Sequence, residues 1–354
     1  MSETPFIITI DTEGDNAWAR PREITTRNAD FLPRFQSLCE KFRFKPVYLT
    51  SYEMAQSDGF VEFARDVVAR DAGEVGMHLH AWNSPPFEPL TSDDFFFQPY
   101  LIEYPDRVMK EKIGTLTRLL EDRFDLPMIS HRAGRWALDG RYAAMLLEEG
   151  YRVDCSVTPR IDWRPHPGKP GGAGGSDYAA FPDRPYFLNP ADISVPAADG
   201  LLEVPMTILA SGLYRRASWV YRIPLMRRAA NAVSPGLSWL CPSQPSLNGS
   251  LDRNREVLLR MAQTAREEGV SPMEFMLHSS ELMPGGSPVF SSAEDIEHLY
   301  ESLEMLFEKL SGWCCGRTLK EFRTGFEKSP GQSASDIHRD GLRDRAVNPE
   351  MART

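Results

Sequence analysis

Basic residues are the first shortage. The 354-residue chain carries 40 lysines and arginines against 50 aspartates and glutamates, a formal net charge of −10. Coating nucleic acid takes a net basic footprint, so that class of protein is excluded. Cysteine is scarce as well. Cys39, Cys155, Cys241, Cys314 and Cys315 are odd in number and lack metal-site spacing, and we read them as reduced thiols. No apolar run reaches the length that crosses a bilayer. The first ten residues have neither the basic head nor the apolar stretch of a secretion signal, so a cytoplasmic enzyme is expected. Also missing are a Gly-x-Gly-x-x-Gly after a strand, a Walker loop and a Gly-x-Ser-x-Gly elbow. Dinucleotide binding, P-loop chemistry and serine-nucleophile hydrolysis lose ground accordingly.

Ordinary globular composition remains, with 42% apolar and 25% charged residues. Seven short runs rich in β-formers recur along the chain, at 6–11, 46–50, 75–80, 128–132, 152–157, 201–206 and 274–278. Helix-period segments at 108–124, 142–149 and 255–268 lie between them. Another follows Ser292, with Asp295 completing a capping pair ahead of Ile296, Leu299, Leu303 and Leu306. Alternation of this kind implies a parallel sheet, because parallel strands need crossover helices. Seven repeats fit a closed or nearly closed β/α barrel, or a large doubly wound sheet. Residues 160–199, with a Pro/Gly cluster at 167–175, read as a long loop insertion. From about 327 onward the chain is mostly polar and reads as a disordered tail.

Polar residues collect where the strands end: Asp11 and Glu13, His78 and His80, His131 and Arg132, Asp154, and His278. In β/α folds that edge is where sites form. Residues two apart on a strand share a face, so both imidazoles of His78-Leu79-His80 can reach one ion. Zinc and similar divalent metals accept that ligand type. Asp11 and Glu13 share a face by the same argument; one can ligate the ion while the other acts as general base. An arginine at 132 suits a partner that keeps Asp11 ionised. A histidine at 278 suits a proton donor for a leaving amine.

The residues Thr9-Ile-Asp-Thr-Glu-Gly-Asp, Glu74-Val-Gly-Met-His-Leu-His-Ala-Trp-Asn-Ser-Pro-Pro, His131-Arg-Ala-Gly-Arg-Trp and Leu277-His-Ser-Ser-Glu-Leu-Met-Pro-Gly-Gly-Ser-Pro stand in this order along the chain. They resemble the motifs of the polysaccharide deacetylase superfamily, carbohydrate esterase family 4 or NodB-like. The nearest likeness is to its WalW/WbmS-type lipopolysaccharide-biosynthesis branch. The resemblance spans roughly residues 5–290 and implies a distorted (β/α)7 barrel over residues 1–326. Insertions fall at about 160–200 and 207–250, and a tail at 327–354. It further implies a metal-dependent hydrolase, usually with zinc, that removes N-acetyl groups from amino sugars.

Carried over by position, Asp11 is similar to the general base, Arg132 to its supporting arginine and His278 to the general acid. His78 resembles the first metal histidine. The family's usual first motif has consecutive aspartates, whereas Thr12 follows Asp11 here; the carboxylate ligand is therefore Glu13 or Asp11 itself. The usual second motif spaces its histidines four apart, but position 82 is a tryptophan, so the second histidine ligand falls to His80. Trp82 and Trp136 are expected to stack on a sugar ring, and Arg135, Ser279 and Glu281 to touch substrate. The branch implies surface-glycan assembly with a nucleotide-linked or lipid-linked saccharide as substrate.

Residues 204–251 hold no Asp, Glu or Lys, but do hold Arg215, Arg216, Arg222, Arg227 and Arg228 among Tyr214, Trp219, Tyr221 and Trp239. This segment is expected to contact a pyrophosphate or anionic lipid headgroups, giving a peripheral membrane contact. Two other classes compete with the deacetylase reading. One is a glycosidase or other amidase on a related barrel; the other is an inactive sugar-binding barrel.

Overall fold

The computed structural model describes residues 3–209 and 255–327. Ten strands build one sheet: β1 (Thr4–Thr12), β2 (Pro46–Thr50), β3 (Glu74–Leu79), β4 (Ser130–Ala133), β5 (Val153–Asp154), β6 (Tyr186–Asn189), β7 (Asp192–Ala197), β8 (Leu202–Glu203), β9 (Met273–His278) and β10 (Cys314–Gly316). The order is β10-β1-β2-β3-β4-β5-β8-β6-β7, with β9 also pairing β1. Every pairing from β10 to β8 is parallel, as is β1 with β9; β6 runs antiparallel to both β7 and β8.

All seven runs expected from the sequence are strands of this parallel set. The stretch 160–199 is not loop throughout, since it contributes the β6–β7 hairpin that widens the sheet beyond β8. Pairing energy and the buried side of β6, with Tyr186 and Leu188, outweigh its Pro-rich flanks. The short β10 also escaped the sequence reading. Three residues carry too little periodicity to show.

The helices of the described residues are α1 (Leu32–Lys41), α2 (Tyr52–Ala55), α3 (Asp58–Ala69), α4 (Asp94–Phe97), α5 (Asp106–Phe124), α6 (Gly140–Glu148), α7 (Arg255–Glu267), α8 (Ala293–Ser311) and α9 (Leu319–Glu327). Helix α8 begins where its capping pair predicts, with the Ser292 side chain accepting from the Asp295 N–H and Asp295 reaching back. Alternation along β1 sends Phe6, Ile8 and Ile10 toward helix residues such as Phe35, Phe60 and Phe307 in the main core. Ile7 turns to the concave side with Val47, Leu49, Val153 and Leu202, where Leu319 of α9 closes the cluster.

Of the expected insertion at 207–250, only 207–209 are described; Arg215 to Arg228 and the aromatics among them lie outside the described residues. The same holds for the tail at 327–354, apart from Glu327, the last residue of α9. Among the described residues no helix is long and apolar enough to cross a membrane.

Candidate active site

The parallel register sets the height of each functional side chain. Asp11 on β1 lies level with His278 on β9, and His78 on β3 lies level with Arg132 on β4. By period two, Thr9, Asp11, His78, Arg132, Glu274 and His278 share the concave face, at the end of the strands opposite the α9 plug. The chain bends just beyond the strand ends, bringing Glu13 and His80 to the same place.

Glu13 Oε2 is 2.8 Å from His80 Nε2 and 3.7 Å from His78 Nε2. One donor atom from each of Glu13, His78 and His80 falls within 4.8 Å of the others. His78 Nδ1 lies 3.0 Å from the Arg132 carbonyl oxygen. A carbonyl can only accept, so Nδ1 carries a proton and Nε2 is the ring nitrogen that faces the two carboxylates. His80 Nδ1 is buried without a hydrogen-bond partner. A carboxylate, an imidazole with its second nitrogen already anchored and an imidazole with an uncommitted nitrogen make a donor set that suits zinc or a similar ion. Gly134 makes room for it: a Cβ there would sit 2.5 Å from the Leu79 carbonyl oxygen and 2.9 Å from His80 Nδ1.

Asp11 stands beside this cluster. Its Oδ1 accepts from Arg132 Nη1 at 2.7 Å; its Oδ2 is 3.8 Å from His78 Nε2 and 3.9 Å from His278 Nε2. Burial works against the carboxylate, but Arg132 and then the two histidines hold it below its ordinary range. Glu13 is held well below that range, its burial outweighed by the adjacent imidazoles of His78 and His80. Arg132, itself fully buried, also donates to Thr9 Oγ1 at 2.7 Å, to the Cys155 carbonyl at 3.1 Å and to Glu274. Its guanidinium stays charged at any working pH.

For His278, burial disfavours the cation, yet the Glu281 carboxylate and the nearby Glu13 and Asp11 raise its pKa to about 9. Glu281 Oε2 accepts from the His278 backbone N–H at 2.8 Å and lies 3.2 Å from Nδ1. Side-chain exposure climbs from 4% at Asp11 through 11% at His80 to 20% at His278, so the way in passes over His278.

The five residues expected to contact substrate all have other neighbours. The Ser279 hydroxyl accepts from the Glu13 N–H at 3.1 Å and donates to the Glu13 carbonyl at 3.2 Å; like Glu281, it is fully buried. Trp82 packs edge-on against His80, with centroids 4.3 Å apart. Arg135 bonds the carbonyls of Gln98 and Pro167 and lies 4.1 Å over the Tyr100 ring, joining three loops. Trp136 faces the Arg132 guanidinium at 4.8 Å and packs with Met206, Ile208 and Met276, partly open to solvent.

His131 and Asp154, flagged by position, do not join the site. One residue off the register of Arg132, His131 faces the other way, 2.6 Å from Asp154 and 2.7 Å from the Tyr142 hydroxyl. Glu274 and Thr9 were missed. Their signal was parity: Glu274 is four residues before His278 and Thr9 two before Asp11, hence on the same face.

No family model matches the chain, and no curated protein sequence matches it. Solved structures do. The chain is similar to a structure described as a glycoside hydrolase/deacetylase from Parabacteroides distasonis, at 11% identity and a TM-score of 0.58, over 94% of this chain and 74% of that one. It is similar to one described as a polysaccharide deacetylase from Pseudomonas aeruginosa, at 13% identity and a TM-score of 0.51, over 93% of this chain and 92% of that one. A 4-alpha-glucanotransferase from Thermococcus litoralis gives 13% identity and a TM-score of 0.51, over 94% of this chain but 41% of that one. Identities this low speak for the fold alone. That fold is the NodB-like deacetylase architecture: a mixed α/β chain with a curled, mostly parallel half-barrel sheet.

Proposed function

We propose that the protein is a metal-dependent N-deacetylase acting on an amino sugar. The observation that carries this reading is the convergence of Glu13, His78 and His80 on one point flanked by Asp11 and His278, two groups held in opposite charge states. Glu13, His78 and His80 are the residues that would hold the ion. When bound, a divalent ion such as zinc supplies Lewis acidity toward the acetyl carbonyl.

The chain's own residues supply the proton transfers. Asp11, kept ionised by Arg132, takes the proton of the attacking water as its oxygen bonds the acetyl carbon. His278, kept protonated by Glu281, gives its proton to the sugar nitrogen as the C–N bond breaks. Acetate and the free amine leave. Both side chains lie within 4 Å of each other across the opening, on the scale of a single amide group.

The resemblance to the lipopolysaccharide branch supports a surface-glycan precursor as substrate, nucleotide-linked or lipid-linked. The arginine-rich 204–251 segment would then meet the phosphates. The test is acetate release by zinc-loaded protein from N-acetylglucosamine oligomers, UDP-N-acetylglucosamine and lipid-linked N-acetylated saccharides. Asp11→Asn should lower the rate about 10²- to 10⁴-fold. Release of reducing sugar without acetate would overturn the reading in favour of a glycosidase.

A further inference from the structure

Trp18 is a large aromatic residue left 41% exposed at the rim of the site. Its indole meets the His278 imidazole edge-on, with centroids 4.8 Å apart and planes at 70°. The turn that carries it, Ala17–Ala19, is bracketed by two non-glycine residues in the left-handed region, Asn16 at φ 48° and Arg20 at φ 53°. An asparagine tolerates that conformation; an arginine does so at a cost the surrounding structure must offset. The loop is also tied down. Arg20 Nη1 donates to the Phe96 carbonyl at 2.6 Å, and Arg22 pairs with Asp93, so two bonds fasten the loop after β1 to the loop after β3. Strained backbone, two cross-loop ties and an exposed indole are an expensive way to cover a histidine. A leucine would shield His278 as well without needing the flat face.

We infer that Trp18 is a specificity-determining residue, the platform for the sugar ring whose nitrogen departs toward His278. This rests on the reading of His278 as the proton donor to that nitrogen. The ring attached to the nitrogen must then lie on the His278 side of the acetyl group. That is the side on which exposure is highest and where the indole stands. A pyranose offers a face of C–H groups, the chemistry that an indole π-face recognises.

Calorimetric titration of full-length, zinc-loaded protein with tri-N-acetylchitotriose tests the inference directly, because binding is read whether or not hydrolysis follows. Trp18→Ala should weaken binding about tenfold and Trp18→Phe about threefold or less, with thermal midpoints unchanged. Trp18→Leu retains bulk against His278 but no π-face; it should bind as weakly as Trp18→Ala, and it keeps the test decisive should the alanine variant fail to fold. Acetate-release kinetics should show the same loss in KM with kcat held within about twofold. Wild-type affinity in Trp18→Leu, or no binding of the saccharide by wild type, overturns the inference. Saccharide binding that depends on Trp18 without any acetate release would leave Trp18 a sugar platform and overturn the deacetylase reading instead.

Discussion

The concave face carries two patches of opposite chemistry that share one strand, β1. At the α9 end, β1, β2, β5 and β8 point Ile7, Val47, Leu49, Val153 and Leu202 inward, and Leu319 seals them. Further along β1, and on β3, β4 and β9, the same face presents Thr9, Asp11, His78, Arg132, Glu274 and His278, nearly all of them buried. What differs is whether each buried group finds a partner. The apolar half needs none, while the polar half survives because Arg132 spreads its donors over Asp11, Thr9, Glu274 and the Cys155 carbonyl. One half stabilises the sheet, and under the proposed function the other stores charge for chemistry.

Removing the shared cation should break the polar half most severely. Arg132→Met leaves Glu274 buried without its countercharge and Asp11 with only the histidines, and should cost about 3–5 kcal/mol of stability by urea unfolding at neutral pH. A loss under about 1 kcal/mol would mean that other groups neutralise the pair. In the apolar half, Leu49→Ala should cost about 2–4 kcal/mol through the cavity it leaves. Its metal content and its activity per folded molecule should match wild type, which would separate the two halves functionally.

Much of this division was legible in the sequence. Seven of the eight parallel strands, all but β10, showed as β-rich runs, because buried parallel strands read as continuous apolar stretches with turn signals between. Asp11, Glu13, His78, His80, Arg132 and His278 stood out by lying at strand ends, and these six do gather around one opening. Residues inside the runs were harder to read. Glu274 sits in Met-Glu-Phe-Met-Leu-His, and only its even spacing from His278 betrays an inward side chain. His131 and Asp154 mislead in the opposite direction, since strand-end position says nothing about which face a residue takes. Trp18 was invisible for another reason. Its place over His278 depends on how a loop of more than ten residues folds back, which no local periodicity encodes.

A gentler perturbation sharpens the charge assignment. In the folded protein the His278 cation is favoured relative to its ordinary pKa of 6.5, so its pairing adds stability fully below that pH and loses it as pH rises through about 9. In metal-free protein, NMR titration of the His278 ring should therefore show a midpoint near 9. Glu281→Gln should lower that midpoint by about 1 to 2 pH units, because it removes a charged hydrogen-bond acceptor. An unmoved midpoint would show that Asp11 and Glu13 alone set the charge. Ser279→Ala should be the smallest change, about 1 kcal/mol in stability with a measurable loss of metal affinity, since its hydroxyl only pins the Glu13 backbone.

The central claim is that the polar half is a metal site and the apolar half is not. Elemental analysis after zinc loading and dialysis tests it most directly, on wild type, Leu49→Ala and His78→Ala side by side. The account predicts about one equivalent of zinc per chain in wild type and Leu49→Ala, and none in His78→Ala. Metal-free wild type, or zinc retained at full stoichiometry in His78→Ala, would contradict it.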